Sequence, residues 1–274
     1  MSLTLRLNTT STIPICVGGI VPNVTCRMSE KEVAELVIWM GNRKLPVGEL
    51  FDVQKNGDQS RIVWQGDLAS VHWIGANLES GSVIVEGNVG RHLGSQMKGG
   101  KILVQGNASD FVACENRGGV VRINGNAGNW LGAAYPGTKS GANGGTIFVA
   151  GNTGSGTGFA MRRGMVCVQG NSGRLTGWNM LAGTILVAGS VGTMAGKGMK
   201  RGTLLLPSQQ HQTLNQSNLP VSFLAGGTVK PMFLNIMQNW LQQSGFPCDL
   251  RTEYSQFHGD QLKGGRGEVL ISCL

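Results

Sequence analysis

The stretch KILVQGNASDFVACENRGGVVRINGNAG, residues 101–128, states one pattern twice: a short apolar run, Gly-Asn, intervening residues, then Gly-Gly and another apolar run. Aligning the Gly that follows each run gives Gly66, Gly87, Gly106, Gly125, Gly151, Gly170 and Gly189. After a first step of 21 the period is 19 residues, with one insertion of seven lying in AAYPGTKSGANGG, residues 133–145. Asp, Asn or Ser follows every anchor, from Asp67 to Ser190. A second Gly stands seven residues on (Gly94, Gly132, Gly158, Gly177, Gly196), with Ala113 the exception. A third stands thirteen on (Gly100, Gly119, Gly164, Gly183, Gly202), with Gly145 its equivalent after the insertion. Each unit therefore has three corners, where Gly takes φ > 0 freely and Asn tolerates it.

Runs such as Val83-Ile84-Val85-Glu86 are too short and too β-branched for helices. Three short strands and three corners make one coil, and coils stacked about 4.8 Å apart pair like strand with like strand. The expected fold is mainly β: a right-handed parallel β-helix with about 19 residues per coil and flanking α/β segments, its rod roughly 30 Å long. A Rossmann or P-loop fold would need long amphipathic helices between strands, and residues 82–206 offer none.

Register separates inside from outside. The fourth residue before each anchor (Val83, Ile102, Val121, Ile147, Val166, Ile185) and the second (Val85, Val104, Ile123, Val149, Val168, Val187) face the core. The residue between them points outward, yet it reads Ile84, Leu103, Arg122, Phe148, Cys167, Leu186. An apolar stripe of this kind calls for a cover, either the chain's own tail or another subunit, so Ile84, Leu103, Phe148 and Leu186 are candidate docking residues. Met97, Met161, Met180 and Met199, ten past their anchors, read as core filling.

The flanks supply candidate covers. SEKEVAELVIWM, residues 29–40, opens with a capping box from Ser29 to Glu32 and predicts a helix. PMFLNIMQNWLQQ, residues 231–243, predicts a second, with Met232, Phe233, Ile236, Met237, Trp240 and Leu241 on one side, able to lie along the stripe. The polar, turn-rich segment after Leu206 marks departure from the rod. The chain divides into an N-terminal flanking segment (1–60), the β-helix (61–206) and a C-terminal segment with one helix and a terminal strand (207–274).

Charge is concentrated on the repeats. From Ser82 to Leu206 twelve Lys or Arg face three acids, and no acid lies between Glu115 and Asp249. Eleven past the anchors stand Lys98, Arg117, Asn143, Arg162, Leu181 and Lys200, a basic ladder that anions or acidic neighbours would have to offset. Nucleic acid is not the expected partner, since no aromatic platform interleaves with these cations. Catalytic constellations are missing from the sequence: His72, His92, His211 and His258 lack metal-ligand spacing, so neither a metal site nor catalytic residues are expected. GTMAGKG (192–198) lacks the Ser or Thr of a phosphate loop, and GSGTGF (154–159) belongs to a coil corner. Six scattered cysteines without C-x-x-C read as buried thiols of a cytoplasmic protein. No membrane span or secretory leader is read from the sequence.

Four stretches carry a resemblance: GNRKLPVGELFDV (41–53), GDLASVHWIGANLESGSVIVEGNVGRHLGSQMKGGKILVQGNA (66–108), INGNAGNWLGAAYPGTKSGANGGTIFVAGNTG (123–154) and GDQLKGGRGEVLI (259–271). On these the chain resembles the C subunits of formylmethanofuran dehydrogenases and of the bacterial formyltransferase/hydrolase complex. The repeat alone is also similar to the Gly-x-Gly-x-Gly β-helix of glutamate synthase. The resemblance implies a scaffold without an active site, metal, molybdopterin and iron-sulfur groups belonging to sibling subunits. It implies amidohydrolase-like, formyltransferase-like and dehydrogenase-B-like partners. The complex would use a furan cofactor and tetrahydromethanopterin, with no cofactor bound by this chain beyond a possible hold of the ladder on the furan cofactor's glutamate-rich tail.

Two branches differ in chemistry: one fixes carbon dioxide as a formyl group with molybdenum or tungsten, the other moves a formyl group from tetrahydromethanopterin to a furan cofactor and hydrolyses it to formate. A chain rich in Gln and Asn and poor in Glu points to the second, bacterial branch. A stand-alone interaction module, or an enzyme with a site on its loops, is the reading of a different class. Ala113 and the acid-poor rod depart from the family pattern.

Overall fold

The computed structural model describes residues 3–55, 57, 60–207 and 218–273, which exclude His211 and most of the polar segment after Leu206. In chain order the N-terminal strands are β1 (Leu3–Leu7), β2 (Ile15–Cys16), β3 (Val37–Met40), β4 (Arg43–Pro46) and β5 (Phe51–Lys55). The repeats supply β6 (Arg61–Gln65), β7 (Val71–His72), β8 (Ser82–Glu86), β9 (Lys101–Val104), β10 (Arg117–Ile123), β11 (Asn143–Val149), β12 (Arg163–Val168), β13 (Thr184–Val187) and β14 (Thr203–Leu206). The tail adds β15 (Leu224–Val229), β16 (Tyr254–His258) and β17 (Glu268–Ser272). Among the described residues thirteen of these form one mixed sheet, ordered β15-β16-β17-β14-β13-β12-β11-β10-β9-β8-β6-β1-β5, and β4-β3-β2-β7 form a smaller one.

From β6 to β14 every neighbour is parallel and pairs at the same repeat position, so Val83 lies opposite Ile102, Ile102 opposite Val121, and Val166 opposite Ile185. A second parallel ladder links the residues two past each anchor, from Leu68 through Val89, Ala108, Ala127, Thr153 and Ser172 to Val191. Successive repeats therefore lie one on another along two sides. The inward columns are buried, as Val83, Val121, Val166 and Ile185 show, and Met97, Met161, Met180 and Met199 are buried with them. Four buried hydroxyls satisfy one another, Thr153 with Ser172 and Thr157, and Ser172 with Thr176.

The corners follow the sequence reading at the second and third glycines. Gly94 and Gly100 have φ of +60° and +77°, and Ala113 takes φ +50° in place of Gly. The anchors from Gly106 onward differ: a Cβ on Gly106 would lie 2.6 Å from the carbonyl of Gly87, so close approach of stacked backbones demands Gly there. The Asn after each anchor also does more than turn. Its Oδ1 accepts the next repeat's backbone N–H, Asn107 to Asn88 at 2.9 Å, Asn126 to Asn107 at 2.7 Å and Asn152 to Asn126 at 2.8 Å.

Both predicted helices change in detail. Ser29 and Glu32 form the capping box, but the helix is only Glu30–Ala34. Val37, Ile38 and Trp39 leave it as β3, because antiparallel pairing with β4 offers these β-formers a ladder. The tail helix is Phe233–Gln243 and buries Leu234, Met237, Gln238 and Leu241. The expected face is rotated: Met232, Phe233 and Ile236 point outward, and Trp240, partly exposed, stacks on Phe148 at 5.9 Å. The apolar arc of the helix is wider than the face that packs on the sheet, and Asn235, Asn239, Gln242 and Gln243 lie along its other side. No disulfide joins the six cysteines; Cys114 and Cys167 are buried and the others half-buried.

Candidate functional site

One row of outward side chains crosses the large sheet, in the order Val63, Ile84, Leu103, Arg122, Phe148, Cys167, Leu186, Leu205, Leu270. The tail covers its second half: Phe148, Cys167, Leu186, Leu205 and Leu270 are buried against Leu234, Met237, Leu241, Phe246 and Leu250. Of the four docking candidates, Phe148 and Leu186 thus lie beneath the chain's own helix, while Ile84 and Leu103 stay half-buried beyond it. Arg122 closes the boundary. Its guanidinium sits 4.4 Å from the Phe148 ring centroid and donates to the carbonyls of Ser244 and Gly245, just past the helix C-terminus where a cation is favoured.

The basic ladder is one edge of the molecule. Lys98, Arg117, Arg162 and Lys200 are all exposed. Each donates its backbone N–H at 2.8 Å to a carbonyl of the preceding repeat: Leu78, Met97, Ala142 and Met180 respectively. The column is not uniformly cationic. Nineteen residues before Lys98 stands Glu79, and the two pair at 2.6 Å with both side chains half exposed. Arg117 lies near Glu115, whose carboxyl burial pushes up, while bonds from Thr138, Gln96 and the Tyr135 N–H with the charge of Arg117 hold it below the usual range. Arg162 and Lys200 have no ion-pair partner among the described residues.

A feature the sequence reading missed lies on another corner. Trp73, His92, Phe111 and Trp130 occupy one repeat position, all with φ between +62° and +68°. Left-handed backbone costs each about 1–2 kcal/mol, which ring stacking of roughly 0.5–1.5 kcal/mol per pair offsets. Trp73 stacks on His92 at 4.1 Å and His92 on Phe111 at 5.1 Å. The seven-residue insertion folds back to lay Tyr135 over them, its hydroxyl 2.8 Å from His92 Nδ1 and 2.7 Å from Ser95 Oγ. Burial, then the charges of His72 and Arg91, pulls the His92 pKa down to about 4. Further along, Phe159 and Trp178 sit 4.6 Å apart beside Trp130. Aromatic platforms therefore exist, at a repeat position separate from the basic ladder; periodicity alone hid them because Gly156, Leu175 and Met194 end the column.

Next to the stack a cleft of about 590 Å³ is lined by Ser11, Thr12, Asp67, His72 and Arg91 among others. His72 Nδ1 accepts the Arg91 N–H at 2.9 Å, and burial followed by the Arg91 charge lowers its pKa. The neutral ring then carries its proton on Nε2. Among the described residues no three His, Cys, Asp or Glu are placed to hold a metal ion, and no helix is long and apolar enough to cross a membrane.

No family model matches the chain. Over 82 residues, 30% of this chain and 20% of the relative, it is 36% identical to the C subunit of the molybdenum-containing formylmethanofuran dehydrogenase 1 of Methanothermobacter marburgensis. Over 90 residues, 33% of this chain and 34% of the relative, it is 34% identical to the C subunit of the Fhc formyltransferase/hydrolase complex of Methylorubrum extorquens. These alignments span about a fifth to a third of the curated relatives' length. The fold match is far longer. A chain in the crystal structure of the formyltransferase/hydrolase complex FhcABCD from Methylorubrum extorquens, solved in complex with methylofuran, superposes with a TM-score of 0.91 at 32% identity, covering 99% of this chain and 100% of that one. The chain belongs to the family of C subunits shared by formylmethanofuran dehydrogenases and the formyltransferase/hydrolase complex.

Proposed function

We propose that this chain is a non-catalytic scaffold in a cytoplasmic complex that moves a formyl group from tetrahydromethanopterin to a furan cofactor and hydrolyses it to formate. The observation that carries this reading is the superposition over 99% of the chain on a component of FhcABCD. The in-register parallel ladders on two sides support a right-handed parallel β-helix as the scaffold's form. Its partners are amidohydrolase-like, formyltransferase-like and dehydrogenase-B-like subunits. Ile84 and Leu103 are docking positions; Phe148 and Leu186 act through the tail helix they seat. Arg117, Arg162 and Lys200, with Lys98 held by Glu79, attract an acidic surface or the glutamate-rich tail of the furan cofactor.

The short alignments to archaeal dehydrogenase subunits support a second reading, membership of a molybdenum or tungsten formylmethanofuran dehydrogenase. A native pull-down with this chain as bait, at low salt and at about 0.5 M where the Debye length is roughly 4 Å, separates the readings by the subunits recovered. Amidohydrolase-like and formyltransferase-like subunits without a metal-containing dehydrogenase support the first reading. Recovery of a molybdenum or tungsten subunit supports the second, and a bare monomer at both salt concentrations overturns both.

A further inference from the structure

The repeat position that holds Trp73, His92, Phe111 and Trp130 is taken in the last repeat by Met194, at φ +62° and 41% exposed. Early members of the column are overlaid by the next repeat, as Trp73 is by His92 and His92 by Phe111. Met194 has no further repeat after it. It lines a cavity of about 480 Å³ together with Leu219, Val221 and Leu262, the last 82% exposed. The three segments that make this cavity are tied to one another through the backbone. The Ala195 N–H donates to the carbonyl of Asn218 at 3.1 Å, and the Gln261 N–H to that of Ser222 at 3.1 Å. Asp260 accepts the Gly198 N–H through Oδ2 at 2.8 Å and the Leu262 N–H through Oδ1 at 3.0 Å, which fixes Leu262 relative to Lys197. A cavity held in this way is preorganised, so little conformational freedom is lost when it fills.

Charge selects what fills it. Arg174 and Lys197 line the same cavity, both exposed and neither ion-paired among the described residues. Arg174 donates through Nε to Thr193 Oγ1 at 3.1 Å, which leaves its two terminal amino groups for an acceptor. The one carboxylate in the lining, Asp260, is 4% exposed and has each oxygen engaged by a backbone donor. Small-molecule sites of this size combine a largely apolar wall with a few placed polar groups. We infer that this cavity binds a medium-chain aliphatic carboxylate, its acyl chain against Met194, Leu219 and Leu262 and its head group on Arg174 and Lys197. The acyl chain takes the place on Met194 that the next repeat's side chain takes on earlier members of the column. The whole site lies on this chain, so the inference does not rest on the complex-subunit reading.

The test is calorimetric titration of the full chain with sodium octanoate, with octanol and octylamine as controls of equal chain length. The expected result is saturable octanoate binding with a Kd of roughly 0.1–1 mM, the range for a ligand of about ten non-hydrogen atoms. Both controls should bind at least about tenfold more weakly, and added salt should weaken octanoate towards octanol. Arg174→Gln with Lys197→Gln should weaken octanoate about tenfold or more and leave the melting temperature of the free chain unchanged, since both side chains are exposed. Leu262→Gln should weaken octanoate and octanol alike. No saturable binding of octanoate, or equal affinity for octanoate and octanol, overturns the assignment. Octanoate binding that the double variant leaves unchanged also overturns it, because the anion is then held elsewhere. If the chain is a dimer that octanoate leaves intact and Leu262→Glu makes monomeric, the occupant is a second copy and the carboxylate assignment falls.

Discussion

The backbone N–H of Gly198 donates at 2.8 Å to Oδ2 of Asp260, a carboxylate only 4% exposed and 62 residues away. In earlier repeats the same position donates to a carbonyl of the next repeat, as Asn77 does to Ser95 at 2.9 Å, Gln96 to Cys114 at 2.8 Å and Asn179 to Lys197 at 2.8 Å. The last repeat has no successor at this position, and Asp260 stands in for the missing carbonyl. A buried donor left unmet costs about 1–3 kcal/mol, so Asp260→Ala should lower unfolding free energy by about 2 kcal/mol. Asp260→Asn, which keeps an acceptor, should lose less. Urea denaturation of both variants checks this; equal losses would mean that the charge, not the acceptor, matters.

Leu241 is fully buried where the tail helix meets the outward row of the sheet. Leu241→Ala should destabilise the chain by roughly 2–5 kcal/mol, the range for a buried Leu truncated in a packed core. The loosened helix should also expose Phe148, Leu186 and Leu205, and a rise in binding of a hydrophobic dye before global unfolding would report it. A dye signal that stays at the wild-type level would place the helix's stability elsewhere.

His92 gives the fold a pH dependence with a defined sign. Its pKa in the folded chain, about 4, lies below the ordinary value of 6.5. Between those values the unfolded chain binds the extra proton, so the contribution is whole above pH 6.5 and is lost as pH falls through 4. The melting temperature of the wild type should therefore drop more steeply over that window than that of His92→Phe, which keeps a ring in the stack. Parallel melting curves for the two proteins from pH 7 to pH 4 would remove His92 as the cause.

Each asparagine after an anchor holds the repeat beyond it. Asn126→Ala removes the acceptor for the Asn152 N–H at 2.8 Å and the amide bond to Asn107 at 3.1 Å. Both are solvent-exposed, so the expected cost is about 1 kcal/mol, read as a shifted denaturation midpoint.

Lys98 and Glu79 pair at 2.6 Å on the surface, and such pairs are worth about 0.2–1 kcal/mol. A double-mutant cycle with Ala should return a coupling in that range that shrinks in high salt. Reversal of Arg117, Arg162 and Lys200 to Glu should instead leave stability within about 0.5 kcal/mol and raise the assembled complex's KM for its furan cofactor, provided the ladder holds the acidic tail. Unchanged kinetics in an intact complex would remove the ladder from cofactor binding.

The 19-residue period, the inward Val and Ile columns, the methionine column and the glycines at the second and third corners were legible in the sequence, because each rests on a local requirement repeated many times. A strand one side of which is buried must alternate, and a corner at positive φ favours Gly wherever it recurs. The stripe from Ile84 to Leu186 likewise announced that something must cover it. What covers it was decided in three dimensions. The apolar arc of the tail helix, from Leu234 round to Ile236, is wider than one contact buries, so packing against Phe148 and Leu205 selects Leu234, Met237 and Leu241 as its inner face. Val37–Met40 follow the ladder that β4 offers rather than the helix that Ser29 and Glu32 begin. Tyr135 meets His92 across 43 residues, and Asp260 meets Gly198 across 62, through contacts that no period encodes. A repeat writes its own nearest-neighbour contacts into the sequence, whereas its ends, its insertion and its outer face are completed by residues remote in the chain, which only the folded arrangement brings together.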